Sequence, residues 1–125
     1  MNYVHLIAVL AIVQFMYFAI LVGKAREQYG VKAPAISGNE MFERAFRVQM
    51  NTLEQLVCFL PALLIAAAYW PQPYVAALGV VYLVGRALYR RAYVTDPAKR
   101  GTGFMLTFIP TLLLLIASLV GALIG

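Results

Sequence analysis

Residues 44–55 read RAFRVQMNTLEQ and residues 82–93 read YLVGRALYRRAY. On a helical wheel of about 100° per residue, Arg44, Arg47, Asn51, Glu54 and Gln55 fall on one stripe. Gln49 points to the opposite side. In the second stretch Tyr82, Arg86, Tyr89, Arg90 and Tyr93 share a stripe, and Arg91 points away. Four arginines thus sit on two stripes, with Arg26 and Arg100 nearby, against very few acids. A charge inside a membrane costs on the order of 2.5–3.5 kcal/mol even on lenient scales. One Arg–Glu pair would be ordinary helix-to-helix glue, and a purely structural reading has Arg47 and Arg86 neutralising Glu54. The surplus guanidinium groups point instead to an anionic ligand, because their planar forks suit carboxylates. Glu54 offers a counter-charge for a ligand amine. A small zwitterion with more than one carboxylate satisfies the whole set.

These stripes need helices to carry them. The 125-residue chain is 63% hydrophobic and 12% charged, with a mean hydropathy of +0.81. A soluble domain would carry roughly twice that charged fraction. Apolar blocks run over 3–22, 56–69, 74–88 and 104–124. A bilayer core takes roughly 20 apolar residues per helix. The second block reaches that length only by continuing back through the polar stretch, and the third by extending to Val94. The reading is an all-α integral membrane four-helix bundle, one domain over 1–125, with helices at about 3–24, 39–69, 74–94 and 102–124. Ser37 to Glu40 fits a capping box for the second helix. Thr95-Asp96-Pro97 ends the third helix and offers an N-cap to the next segment. Pro61 and Pro110 are expected kinks.

The ten Lys and Arg residues flank the first and third loops, and the second loop, WPQPY, has none. The positive-inside rule then puts both termini on the non-cytoplasmic side. It also accounts for the net charge of +5 without a nucleic-acid partner, and a basic membrane face attracts anionic lipid. The first block lacks a basic n-region and is too long for a cleavable signal. Short termini and no organelle address suggest a bacterial inner membrane. A single cysteine, Cys58, excludes an intrachain disulfide, and with one histidine, His5, no metal-ligand cluster is expected. Cys58 reads as a small core residue and His5 as solvated or lipid-facing. Phe15, Tyr17 and Phe18 read as packing or as the lining of a lipophilic pocket. Thr107, Thr111 and Ser118 recur at helical spacing suited to helix contacts.

The run FERAFRVQMNTLEQ before an apolar segment, and VGRALYRRAYVTDPAKRGTG, resemble the second-helix and third-helix motifs of the MAPEG family, the membrane-associated proteins of eicosanoid and glutathione metabolism. NTLE and the GR-LY---Y-T-P-KR pattern are most similar to the branch containing microsomal glutathione transferase type three. The resemblance implies a homotrimer of four-helix bundles with glutathione, a co-substrate, bound between neighbouring subunits near the cytoplasmic face. It implies glutathione contacts from Arg47, Asn51 and Glu54 on the second helix and from Arg86, Tyr89 and Tyr93 on the third. Arg26 and Gln49 match positions contributed across the subunit boundary. Arg100 matches the arginine that stabilises the glutathione thiolate. The chain departs from its relatives in having Gln55 where some carry Tyr, Arg90 where many are uncharged, and no Cys between Asn51 and Glu54.

The expected activity is that of a glutathione transferase or peroxidase. A thiol of pKa near 8.5 is mostly neutral at pH 7, and a guanidinium in reach favours the thiolate. That thiolate would attack a lipophilic electrophile arriving from the membrane, or reduce a lipid hydroperoxide. A second class is a non-catalytic member that binds glutathione or lipid and presents it to a partner. A transporter is a third, weakened by the lack of an inverted repeat and by stripes that stop partway across the membrane.

Overall fold

The computed structural model describes residues 1–125. It contains four helices: α1, Tyr3–Tyr29; α2, Glu40–Tyr69; α3, Gln72–Thr95; and α4, Gly101–Ile124. A 3₁₀ turn over Pro97–Lys99 precedes α4. There are no strands. α1 passes its expected end near Lys24 because nothing in KAREQY breaks a helix. It stops at Gly30, whose φ of 69° is the left-handed conformation that glycine adopts without penalty. α2 is capped by Asn39 rather than by Ser37. The Asn39 side chain accepts from the Phe42 amide at 3.0 Å, and Glu43, not Glu40, reaches back to the Gly38 amide at 3.3 Å. The Asn39 carboxamide supplies the same kind of acceptor two residues later. Asp96 caps the 3₁₀ turn through the Ala98 amide. α2 and α4 remain helical through Pro61 and Pro110.

Helices α1, α2 and α4 are long and apolar enough to cross a membrane. Their outward faces are correspondingly greasy: Val9, Val13, Ile20, Leu64, Leu115 and Leu119 are all exposed. Interior packing is ordinary by contrast. Phe59 of α2 stacks flat on Tyr82 of α3, with ring centres 3.7 Å apart. Ser118 of α4 donates to the Ala62 carbonyl of α2 at 3.0 Å. Gln14 of α1 donates to the Leu83 carbonyl of α3 at 2.9 Å. Such side-chain bonds carry weight where hydrophobic contrast with lipid is small. The protein is an integral membrane protein of four packed helices.

Two glycines set the distance between α3 and α4. A Cβ on Gly103 would overlap the backbone of Tyr89. One on Gly85 would lie 2.7 Å from the Leu106 carbonyl carbon. The two helices therefore meet almost backbone to backbone at the level of Arg86 and Tyr89.

Candidate functional site

The ends of α1 and α3 and the starts of α2 and α4 gather at one end of the bundle, and the polar stripes lie there. Arg86 is completely buried. Its Nε donates to Thr107 Oγ1 at 2.9 Å. Its Nη1 donates to Asn51 Oδ1 at 2.8 Å and to Thr52 Oγ1 at 3.1 Å. Each threonine hydroxyl gives its own proton to the carbonyl four residues earlier, Val48 for Thr52 and Gly103 for Thr107. That leaves their lone pairs for the guanidinium. The close approach of α4 at Gly103 brings Thr107 into range. Arg86 Cζ also lies 4.3 Å from the Tyr89 ring centre, and Tyr89 stacks on Tyr93 at 5.6 Å. Every partner of Arg86 is neutral, and its Nη2 is buried with no partner at all.

The other predicted residues surround this knot. Arg47 and Glu54 are exposed on the face of α2 that the chain leaves uncovered. The single ion pair in the chain is Arg44–Glu40, at 2.7 Å, so neither Arg47 nor Arg86 pairs with Glu54 within the chain. Arg44 donates from Nη1 to the Val94 and Thr95 carbonyls and from Nη2 to Glu40, which leaves only its Nε without a partner. Gln49 is half-buried without a side-chain hydrogen bond. Arg26 donates to the Ala35 carbonyl at 2.6 Å and lies over the Phe42 ring at 4.8 Å, so it braces its own loop. Arg100 is exposed at the start of α4, donating to the Pro97 carbonyl at 2.8 Å. An apolar cleft of about 620 Å³ runs between α3 and α4 from Gly101 and Thr102, the residues that follow Arg100, to Leu113.

Sequence reasoning missed Thr52 as a partner of Arg86 and read Thr107 only as a helix contact. The signal was available: an arginine flanked by apolar residues must find acceptors inside. Cys58, read as a core residue, is exposed. It sits one turn beyond Glu54 on the uncovered face of α2. Phe18 is buried and packs with Val48 and Tyr89, while Tyr17 is exposed. No group of three or more metal-ligating side chains occurs in the chain.

The MAPEG family model matches residues 4–120. The chain belongs to the MAPEG family. Among the relatives of this MAPEG chain is an uncharacterized protein of Synechocystis sp., 45% identical over 118 residues, covering 94% of this chain and 86% of that one. Human microsomal glutathione S-transferase 2 is 42% identical over 114 residues, covering 90% of this chain and 78% of that one. Rat leukotriene C4 synthase is 32% identical over 94 residues, covering 75% and 63% respectively. The human transferase is of type two, whereas the motifs alone pointed to the type three branch of MAPEG.

Proposed function

We propose that this MAPEG protein is a membrane-bound glutathione transferase. The observation that carries the reading is the unpaired couple Arg47 and Glu54, on either side of an Asn51 that Arg86 holds in place. The two charges lie seven positions apart along the helix, a rise of about 10 Å. That spacing suits an extended tripeptide, with a carboxylate on Arg47 and the ammonium on Glu54. Asn51 accepts from Arg86 through Oδ1, which turns its amide N–H groups toward the ligand as donors. Tyr93 and the Tyr89 ring complete the wall on α3.

Arg100 is the catalytic residue in this reading. A guanidinium beside the bound thiol favours the thiolate, and the proton leaves to water. The sulfur lone pair then forms the carbon–sulfur bond while the electrophile loses its leaving group or opens its ring. The α3–α4 cleft, which begins at Gly101 just after Arg100, is lined mostly by apolar residues, which suits a lipophilic electrophile or a lipid hydroperoxide. The family match and the transferase relatives support glutathione as co-substrate.

The same face supports a homotrimer. Leu53, Glu54 and Val57 are exposed together on α2, and an acid turned toward lipid costs on the order of 2.5–3.5 kcal/mol. A neighbouring subunit relieves that cost and brings its Arg26 and Gln49 to the ligand. Both termini then lie on the non-cytoplasmic side of what would be a bacterial inner membrane.

The test is turnover of a chromogenic aryl halide by the purified protein. Saturable dependence on glutathione is the expected result. Thermal stabilisation by glutathione with no product formed would replace this reading with a non-catalytic binder that presents its ligand to a partner. Glutathione-dependent loss of a lipid hydroperoxide reports the peroxidase reaction.

A further inference from the structure

A second basic cleft lies away from the Arg47–Glu54 face, between α1, α2 and α3. Its volume is about 700 Å³, and Lys24, Gln28, Tyr29, Arg44, Arg90 and Thr95 contribute its polar wall. No aspartate or glutamate lines it. Glu40, which pairs with Arg44, has a side chain 79% exposed and stands outside. Arg90 is half-buried over the Phe18 ring, with 5.8 Å between Cζ and the ring centre. Its Nη1 is buried and has no acceptor, and the same holds for Nε of Arg44. Lys24 makes no ion pair. None of these residues belongs to the proposed glutathione site.

Guanidinium N–H groups shut away from water without acceptors are costly. Two of them beside an ammonium, with no acid in the wall, favour an occupant that brings several anionic oxygens. The remaining wall is apolar, including Leu21, Met41 and Val94, and the cleft lies at the end of the bundle where the Lys and Arg residues gather. Basic pockets between membrane helices at that level recognise phosphate-bearing head groups. We propose that the Lys24–Arg44–Arg90 cleft binds an anionic phosphate group, carried by a membrane lipid headgroup or present as free phosphate.

The experiment uses the full chain, purified in detergent and stripped of lipid. Its thermal midpoint is followed against short-chain phosphatidylglycerol, short-chain phosphatidylcholine and inorganic phosphate. The expected result is a saturable rise with phosphatidylglycerol that phosphatidylcholine does not reproduce. A rise with inorganic phosphate at similar concentration assigns the site to free phosphate instead of lipid and leaves the anion site standing. Arg90→Gln should weaken the effect by roughly tenfold, the worth of one charged hydrogen bond. Lys24→Gln, on an exposed position, carries the same test should Arg90→Gln fail to fold. Glutathione titration of the variants should match the parent. A flat response to both phosphate probes, or an equal response in parent and variants, overturns the proposal. So does a loss of glutathione affinity with the phosphate response intact.

Discussion

Arg86 holds Asn51 through a 2.8 Å hydrogen bond from a guanidinium that touches no carboxylate. The arginine is shut inside the bundle, so in the proposed site its reach to glutathione runs through the amide it orients. Asn51→Asp would place a carboxylate against Arg86 and supply the missing counter-charge. The thermal midpoint should rise, while glutathione affinity falls by roughly tenfold or more because donor N–H groups become a repelling anion. Calorimetric titration and a melting curve on one preparation read both effects. A midpoint that falls would count against the uncompensated-charge account.

Glu54 and Arg47 are exposed and make no bond within the chain. Glu54→Gln and Arg47→Ala should therefore leave the stability of the folded chain within about 0.5 kcal/mol of the parent. Each should weaken glutathione by roughly tenfold, through the loss of one charged contact. Normal affinity in Glu54→Gln would remove the ammonium assignment.

Arg100→Ala should lower turnover while leaving the glutathione dissociation constant nearly unchanged. The sign of its pH effect follows from charge. In the proposed mechanism the guanidinium stabilises the thiolate, so removing it returns the bound thiol toward about 8.5. Activity of the variant should then climb across the range from neutral to alkaline pH, where the parent is already level. Ultraviolet absorbance of the thiolate in the glutathione complex gives an independent reading.

Gly103→Ala forces a methyl into the backbone of Tyr89. Helices α3 and α4 must separate, which draws Thr107 away from Arg86. Overpacking of this kind costs about 1–3 kcal/mol, seen as a lower midpoint. Loss of the Thr107 contact should also raise the KM for glutathione. Gly23→Ala, at a position with open space around it, is the matched control and should change neither.

Cys58 lies on the uncovered face of α2. Cys58→Ser should leave turnover unchanged. Glutathione present during alkylation of the parent should slow labelling if the ligand lies along this face, which mass spectrometry measures.

Much of the molecule was legible in its residues. The apolar blocks announced four helices and a membrane setting, and three of those helices, α1, α2 and α4, are long and apolar enough to cross a bilayer, because unpaired backbone in lipid is so costly that composition has little freedom. The 3.6-residue period put Arg47, Asn51 and Glu54 on one stripe. It could not separate them further. Asn51 turns inward to Arg86 while Arg47 and Glu54 stay outside, and that division depends on where α3 crosses α2. Arg90 shows the same limit: its stripe was readable, but its contact with Phe18 of α1 was not.

Sequence alone determined the helical class, the membrane setting and the chemistry on offer: guanidinium groups in excess of acids on two helices. Tertiary structure decided which of those groups are free. Gly85 and Gly103 draw α4 onto α3, and that approach supplies Thr107 to Arg86, so one arginine is bonded inside while Arg47 stays exposed and unpaired. The physical reason is that helical spacing is fixed by local backbone geometry. Whether a side chain meets an acceptor, a ring or open space is fixed by neighbours tens of residues away.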